Sequence, residues 1–205
     1  MSAVTATSRA AEIAEKGIAF QAAQKQGEFE RMVELVMELQ PKVILEIGSM
    51  HGGSLLAWRL AAPAAKIISV SLTNGPFGGG SVDRSTVVDG EHVEIVDHLL
   101  DMNSHDHSTL TAVMEILGDE FVDFLFIDGD HSYEGVREDF TTYSWLVRAG
   151  GLIALHDILS HHPSEGIFVQ KFWKRLAARF ETQEFVLPNE LRDYGVWGGI
   201  GVITW

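Results

Sequence analysis

Apolar and polar positions along the chain change period repeatedly. Val43 to Ile47, Lys66 to Leu72, Phe121 to Ile127 and Leu152 to Leu155 are short, mostly apolar runs, the pattern of buried strands. Between them the period becomes helical. Phe29, Met32, Val33, Val36 and Met37 share one face of a predicted helix over Glu28 to Leu39, stopped by Pro41. Ser54 to Ala61 reads as a helix broken by Pro63, and Leu110, Val113, Met114 and Leu117 mark another with Gly118 as its C-cap. Tyr133 to Val147 reads as a helix closed by Gly150-Gly151. Phe168, Val169, Phe172, Trp173, Leu176 and Phe180 form an amphipathic helix. A further strand lies within Val93 to Asp101, and Phe185 to Leu187 and Ile200 to Trp205 read as closing strands. Asn74 to Ser81 (NGPFGGGS) is loop, either a lid or a surface excursion. Val82 to His92 is a poor helix and takes no assignment. Met1 to Gln26 reads as an Ala-rich frayed segment leading to a helix. Strands alternating with helices predict an α/β fold: one doubly wound, mostly parallel seven-stranded sheet with helices on both faces. The expected division is an N-terminal helical extension over 1–27 and a single domain over 28–205.

A length of 205 residues suffices for one domain with a sizeable core. The net charge of −14 argues against nucleic acid and anionic membranes as partners and leaves a small molecule as the expected one. Homo-oligomerisation stays open. The absence of cysteine excludes disulfides, thiolate metal sites and a cysteine nucleophile, and fits an expected cytoplasmic location. No signal-peptide core or membrane-length apolar run is present.

In such a sheet, ligands bind beyond the carboxyl ends of the strands, so the residues following each strand are the candidates. The first strand runs through Glu46 into Gly48-Ser49-Met50-His51-Gly52-Gly53-Ser54, a turn whose glycines permit close backbone approach to a ligand. The spacing is not G-x-G-x-x-G, so the dinucleotide fingerprint is not met. Ser71 follows the second strand, Asn103-Ser104-His105-Asp106 the third, Asp128-Gly129-Asp130-His131 the fourth and His156-Asp157 the fifth. The last two clusters offer carboxylates and imidazoles suited to a hard cation, with His131 as the group that accepts a proton. Taken singly, each acid is better explained as a helix cap or loop tether, and Asp130 is placed to cap ahead of Ser132-Tyr133, but joint placement at two strand ends favours a chemical role for Asp128, His131 and Asp157. His161 and His162 are expected to be solvated loop residues.

Glu46 to Ser54, Phe126 to Phe140 and Gly150 to Asp157 together resemble class I S-adenosylmethionine-dependent methyltransferases of the small-molecule O-methyltransferase type. The first stretch is closest to the relatives of catechol O-methyltransferase, and the other two look like the subgroup with cephalosporin-hydroxylase-like proteins and sugar or macrolide O-methyltransferases. The resemblance implies a Rossmann-like fold and S-adenosylmethionine as cofactor. Glu46 would hold the cofactor's amino group, directly or through water. Gly48, Ser49, Met50, His51, Gly52 and Ser54 would line its amino-acid and ribose end, with Ser71 at the ribose and Ser104 and His105 by the adenine. Asp128, His156 and Asp157 would hold Mg²⁺ or Mn²⁺, with Asp128 and His131 as catalytic residues. Two positions depart from the pattern. Ser71 stands where the relatives usually carry an acid, and His156 where the catechol-type enzymes carry a carboxylate, so Asp128 and Asp157 alone remain an alternative ligand set. The implied function is metal-assisted O-methylation of a small hydroxylated molecule, a sugar or secondary metabolite. The alternatives are a catalytically weakened cofactor-binding protein and a nicotinamide-dependent oxidoreductase.

Overall fold

A computed structural model of the chain describes residues 3–74, 80–161, 163–187 and 197–205. Most of the NGPFGGGS loop, His162 and Tyr194 therefore lie outside the described residues. Among the described residues there are nine strands, β1 (Val43–Ile47), β2 (Lys66–Val70), β3 (Ser85–Val88), β4 (Glu91–Glu94), β5 (His98–Leu100), β6 (Val122–Ile127), β7 (Val147–His156), β8 (Thr182–Phe185) and β9 (Ile200–Thr204). The α-helices among the described residues are α1 (Ala3–Ala19), α2 (Gln26–Leu39), α3 (Gly53–Ala61), α4 (His107–Leu117), α5 (Tyr133–Tyr143) and α6 (Val169–Ala177). Seven strands form one sheet in the order β5-β2-β1-β6-β7-β9-β8. Its first five strands are parallel, and β9 pairs antiparallel with both β7 and β8. The order grows outward from β1 in one direction and from β6 in the other, so their carboxyl ends flank the topological switch point.

The two-residue side-chain period of a strand divides the core. Val43, Leu45 and Ile47 of β1 pack with α4, α5 and α6. Ile44 faces the opposite layer, made with α1, α2 and α3. Trp58 of α3 is central to that layer, edge-on to Phe29, Phe124 and Phe126 with ring centroids 5.3, 5.2 and 5.5 Å away. Asp123 fixes the start of β1: one carboxylate oxygen accepts the Lys42 and Val43 amides at 2.8 and 2.9 Å, and the other meets Arg148.

Two segments differ from the sequence expectation. The stretch expected to fray contains the 17-residue helix α1, whose Ala10, Ile13 and Ala14 are buried. Small residues permit this packing: a Cβ on Gly53 would overlap the Ala22 backbone and crowd the Gly17 carbonyl. Val82 to His92 contributes the antiparallel hairpin β3–β4, separate from the main sheet. Its turn, Asp89-Gly90, has φ of 52° and 86°, matching the type I′ hairpin preference. No helix among the described residues is long and apolar enough to cross a membrane.

Candidate active site

A cavity of about 690 Å³ opens at the switch point, within the range of small-molecule sites. Its floor begins where β1 ends. Gly48, at φ 85°, bonds back to the Val70 carbonyl, and a Cβ there would overlap the Asp128 carbonyl. The β1 and β6 ends can therefore approach this closely only with glycine at 48. Ser49 is fixed twice: its hydroxyl lies 2.8 Å from that of Ser69, and its amide donates to Ser71 Oγ at 3.2 Å. Ser49, Met50, Ser54, Ser71, Ser104 and His105 all line the cavity.

Glu46, His51 and Gly52 do not. Gly52 begins α3 in the left-handed region, and a Cβ on it would approach Ile95 and Val82. Glu46 is fully buried on the aromatic face of β1. Ser54 donates to one of its oxygens at 2.7 Å, and the Trp58 indole N–H donates to the other. Burial pushes the Glu46 carboxyl up to about 7, against the opposing pull of these donors. Ser54 thus stands at the cavity wall with Glu46 behind it.

The carboxyl ends of β6 and β7 bring Asp128, His131, His156 and Asp157 together as the sequence suggested. His131 bridges the carboxylates: Nε2 lies 3.2 Å from Asp128 and Nδ1 3.2 Å from Asp157. His156 Nδ1 lies 3.1 Å from Asp128 and 3.7 Å from Asp157. Burial would raise both acids, but the charge of His156, with His131 at Asp128 and with His161 and His131 at Asp157, overcomes it and holds both carboxyls below their usual range. Burial would likewise lower His156, yet the two carboxylates push it up to about 9. Asp157 is held at φ 61°, a left-handed conformation uncommon outside glycine.

Ligand atoms of Asp128, His131 and Asp157 all lie within 4.8 Å of one another. Two carboxylates and a neutral imidazole suit a divalent cation, which would take the place of the proton that the histidine otherwise holds. The converging set contains His131 where the sequence pointed to His156, although His156 touches the same two carboxylates. Asp130 instead accepts the Ser132 amide at 2.8 Å, and Ser132 caps α5.

Sequence reasoning missed three participants. His161 is not solvated: its side chain is 3 % exposed and lies 3.1 Å from both Asp157 and Glu165. The acids at i−4 and i+4 were the available signal. Gln24, in the connection between α1 and α2, donates to Asp128 Oδ2 at 2.7 Å and lines the cavity. No motif marked it. Glu28 accepts the amides of Leu187 and Gly199 at 3.0 and 2.9 Å, beside buried Lys25 at 3.7 Å. It ties the start of α2 to the turn carrying Trp197, another residue lining the cavity.

Residues 45–158, more than half of the chain, match the family model described as a methyltransferase domain. The Sinorhizobium fredii protein y4gI is 24 % identical over 179 residues, which are 83 % of this chain but only 18 % of that protein's length. Among solved structures, the O-methyltransferase TomG of Streptomyces achromogenes in complex with SAM aligns with a TM-score of 0.57 and 17 % identity, over 97 % of this chain and 89 % of that one. The methyltransferase MycE of the mycinamycin pathway, in complex with Mg, SAH and mycinamycin VI, aligns with a TM-score of 0.61 and 16 % identity, over 95 % of this chain and 54 % of that one. These structural likenesses establish the Rossmann-like methyltransferase fold, and through its match over residues 45–158 the chain belongs to the methyltransferase-domain family.

Proposed function

We propose that the protein transfers a methyl group from S-adenosylmethionine to a hydroxyl of a small molecule, with a divalent cation at the Asp128 cluster. The observation that carries this reading is the convergence, in one cavity, of the Gly48 turn with the carboxylates of Asp128 and Asp157. The likeness to TomG in its complex with SAM, and to MycE in its complex with Mg, SAH and mycinamycin VI, supports the same assignment.

Bound there, S-adenosylmethionine supplies a methyl carbon already activated by its positive sulfur, so transfer is an in-line displacement and positioning is the protein's main contribution. Glycine at 48 leaves room for the cofactor's amino-acid portion. Ser54 presents a hydroxyl to its ammonium, with Glu46 behind it as the source of negative charge. Ser71 already accepts the Ser49 amide, so its own hydroxyl proton is left for one ribose oxygen. Ser104 and His105 border the nucleoside end.

Mg²⁺ or Mn²⁺ held by Asp128, Asp157 and a histidine would polarise the acceptor hydroxyl and lower its pKa. Between two carboxylates, His131 holds its proton more tightly than an ordinary imidazole, because Asp128 and Asp157 outweigh its burial. It acts as a base only after that proton has left. Asp128 is steadied from three sides by His131, His156 and Gln24, which fixes the direction of its oxygens.

Calorimetric titration with S-adenosylhomocysteine, with and without Mn²⁺, tests the reading. Micromolar binding to the wild type, lost on Gly48→Val, is expected. Absence of binding in both conditions refutes it. A second reading, cofactor binding without turnover, is favoured by Ser71 alone, and methyl transfer to any panel of alcohols and phenols would exclude it.

A further inference from the structure

Asp139 lies within the Phe126–Phe140 motif but takes no part in the Asp128 cluster. It is fully buried on α5, and neither of its oxygens accepts a well-aligned hydrogen bond. Its Oδ1 lies 3.2 Å from His105 Nε2. An isolated carboxylate at such a depth is strongly disfavoured, so an opposite charge beside it is the physical requirement of the site. One turn further along α5, the Tyr143 hydroxyl donates to the Ser104 carbonyl at 2.7 Å. The i,i+4 spacing sets both contacts on one helix face. A Cβ on Gly129 would stand 3.4 Å from Asp139 Oδ2, so the same carboxylate also underlies the loop after β6.

We propose that Asp139 is a positioning residue for the nucleoside end of the cofactor: it holds the His105 ring charged at the cavity wall, while Tyr143 fixes the adjoining Ser104 backbone. The inference rests on the cofactor reading above and deepens it. With Nε2 turned to Asp139, Nδ1 is the ring nitrogen left for a ligand. In the imidazolium both nitrogens carry protons, and Nδ1 donates to an electron-rich purine nitrogen or ribose oxygen. On deprotonation the remaining proton stays on Nε2, beside the carboxylate, and Nδ1 becomes an acceptor. One proton thus reverses the polarity of the contact. The acids facing His105 are Asp139, Glu138 and Asp130, and Asp139, the dominant influence, pushes the imidazole up to about 9. At neutral pH the donor form prevails.

The test has two arms on the full-length protein. Histidine Cε1 resonances followed by NMR without ligand should show His105 titrating near 9 in the wild type. In Asp139→Asn the midpoint should fall toward the ordinary value of about 6.5. Since that variant removes a buried charge and can fail to fold, His105→Gln serves as the second variant. The S-adenosylhomocysteine affinity of the wild type should exceed that of His105→Gln about tenfold at pH 7 and by little at pH 10, a ratio from which the titrations of Glu46 and of the ligand's own amino group cancel. Wild-type His105 titrating near 6.5, or a wild-type to His105→Gln affinity ratio unchanged to pH 10, overturns the proposal. No binding at any pH overturns the cofactor reading and this inference with it, while a high His105 midpoint in the ligand-free arm would still show the ion pair to be real.

Discussion

Replacing Glu46 by Gln isolates the cost of its buried charge. The carboxyl is raised from 4.5 to about 7, chiefly by burial. At about 1.36 kcal/mol per pH unit, ionising it in the folded protein costs roughly 3 kcal/mol relative to the unfolded chain. The sign follows from proton counting. Between pH 4.5 and 7 the folded state binds more protons than the unfolded state, so stability falls as pH rises, and the deficit is complete above 7. Glutamine removes the ionisation without stranding either donor. Its carbonyl accepts the Trp58 N–H, and its amide donates to Ser54 Oγ, whose hydroxyl turns around. The stability advantage of Glu46→Gln over the wild type should therefore grow by about 3 kcal/mol between pH 4.5 and pH 8. For a chain of this size that is a relative rise in Tm of about 6–12 °C. Urea denaturation of both proteins at the two pH values measures it. An advantage that does not change with pH refutes the reasoning. The same substitution should weaken S-adenosylhomocysteine binding at pH 8, where the lost carboxylate no longer faces the ammonium through Ser54.

Ser71→Asp places a carboxylate at the ribose position, and a charge-assisted bond of about 1.5–3 kcal/mol should tighten S-adenosylhomocysteine binding by roughly ten- to a hundredfold in calorimetry. Unchanged affinity would place the ribose elsewhere. Asp123→Ala leaves the amides of Lys42 and Val43 without their acceptor at the start of β1, and chemical denaturation at pH 7 should show a loss of about 2–4 kcal/mol. Burial opposes ionisation of Asp123, but Arg148 and the two amides outweigh it and lower its pKa. Its contribution is therefore present above about pH 4 and lost in acid, where the variant and the wild type should converge. Gly53→Ala forces a methyl group into the Ala22 backbone and should destabilise the protein by about 1–3 kcal/mol, with faster hydrogen exchange of the amides between α1 and α2.

Where two-sided burial dictates the residues, the sequence is readable. The β1 boundaries expected from five consecutive apolar-run positions are those observed, and β6 differs only at Phe121, which is 61 % exposed. The hairpin β3–β4 has no such constraint. Val87 points out at 67 % exposure and the strands pair only with each other, so periodicity carried no signal, although Asp89-Gly90 was a turn signature. The clustering of Asp128, His131, His156 and Asp157 followed from strand ends alone. Which face of β1 receives Glu46 did not: its environment is made by Trp58, distant aromatics and Ser54. Gln24 and Glu28 were equally illegible, since each acts through a partner more than 100 residues away.

Glu28 carries a consequence for the order in which the chain assembles. Its two backbone donors lie 159 and 171 positions downstream. On a ribosome, the start of α2 emerges long before either donor exists. The N-terminal helices can form early, but the carboxylate of Glu28 finds its amides only after the last strands are made. The wall of the cavity that Trp197 shares with Gln24 is thus a late product of synthesis, and contacts at such separation are those that slow folding most. Until then the parallel part of the sheet, β1, β2, β5, β6 and β7, stands with its site still open.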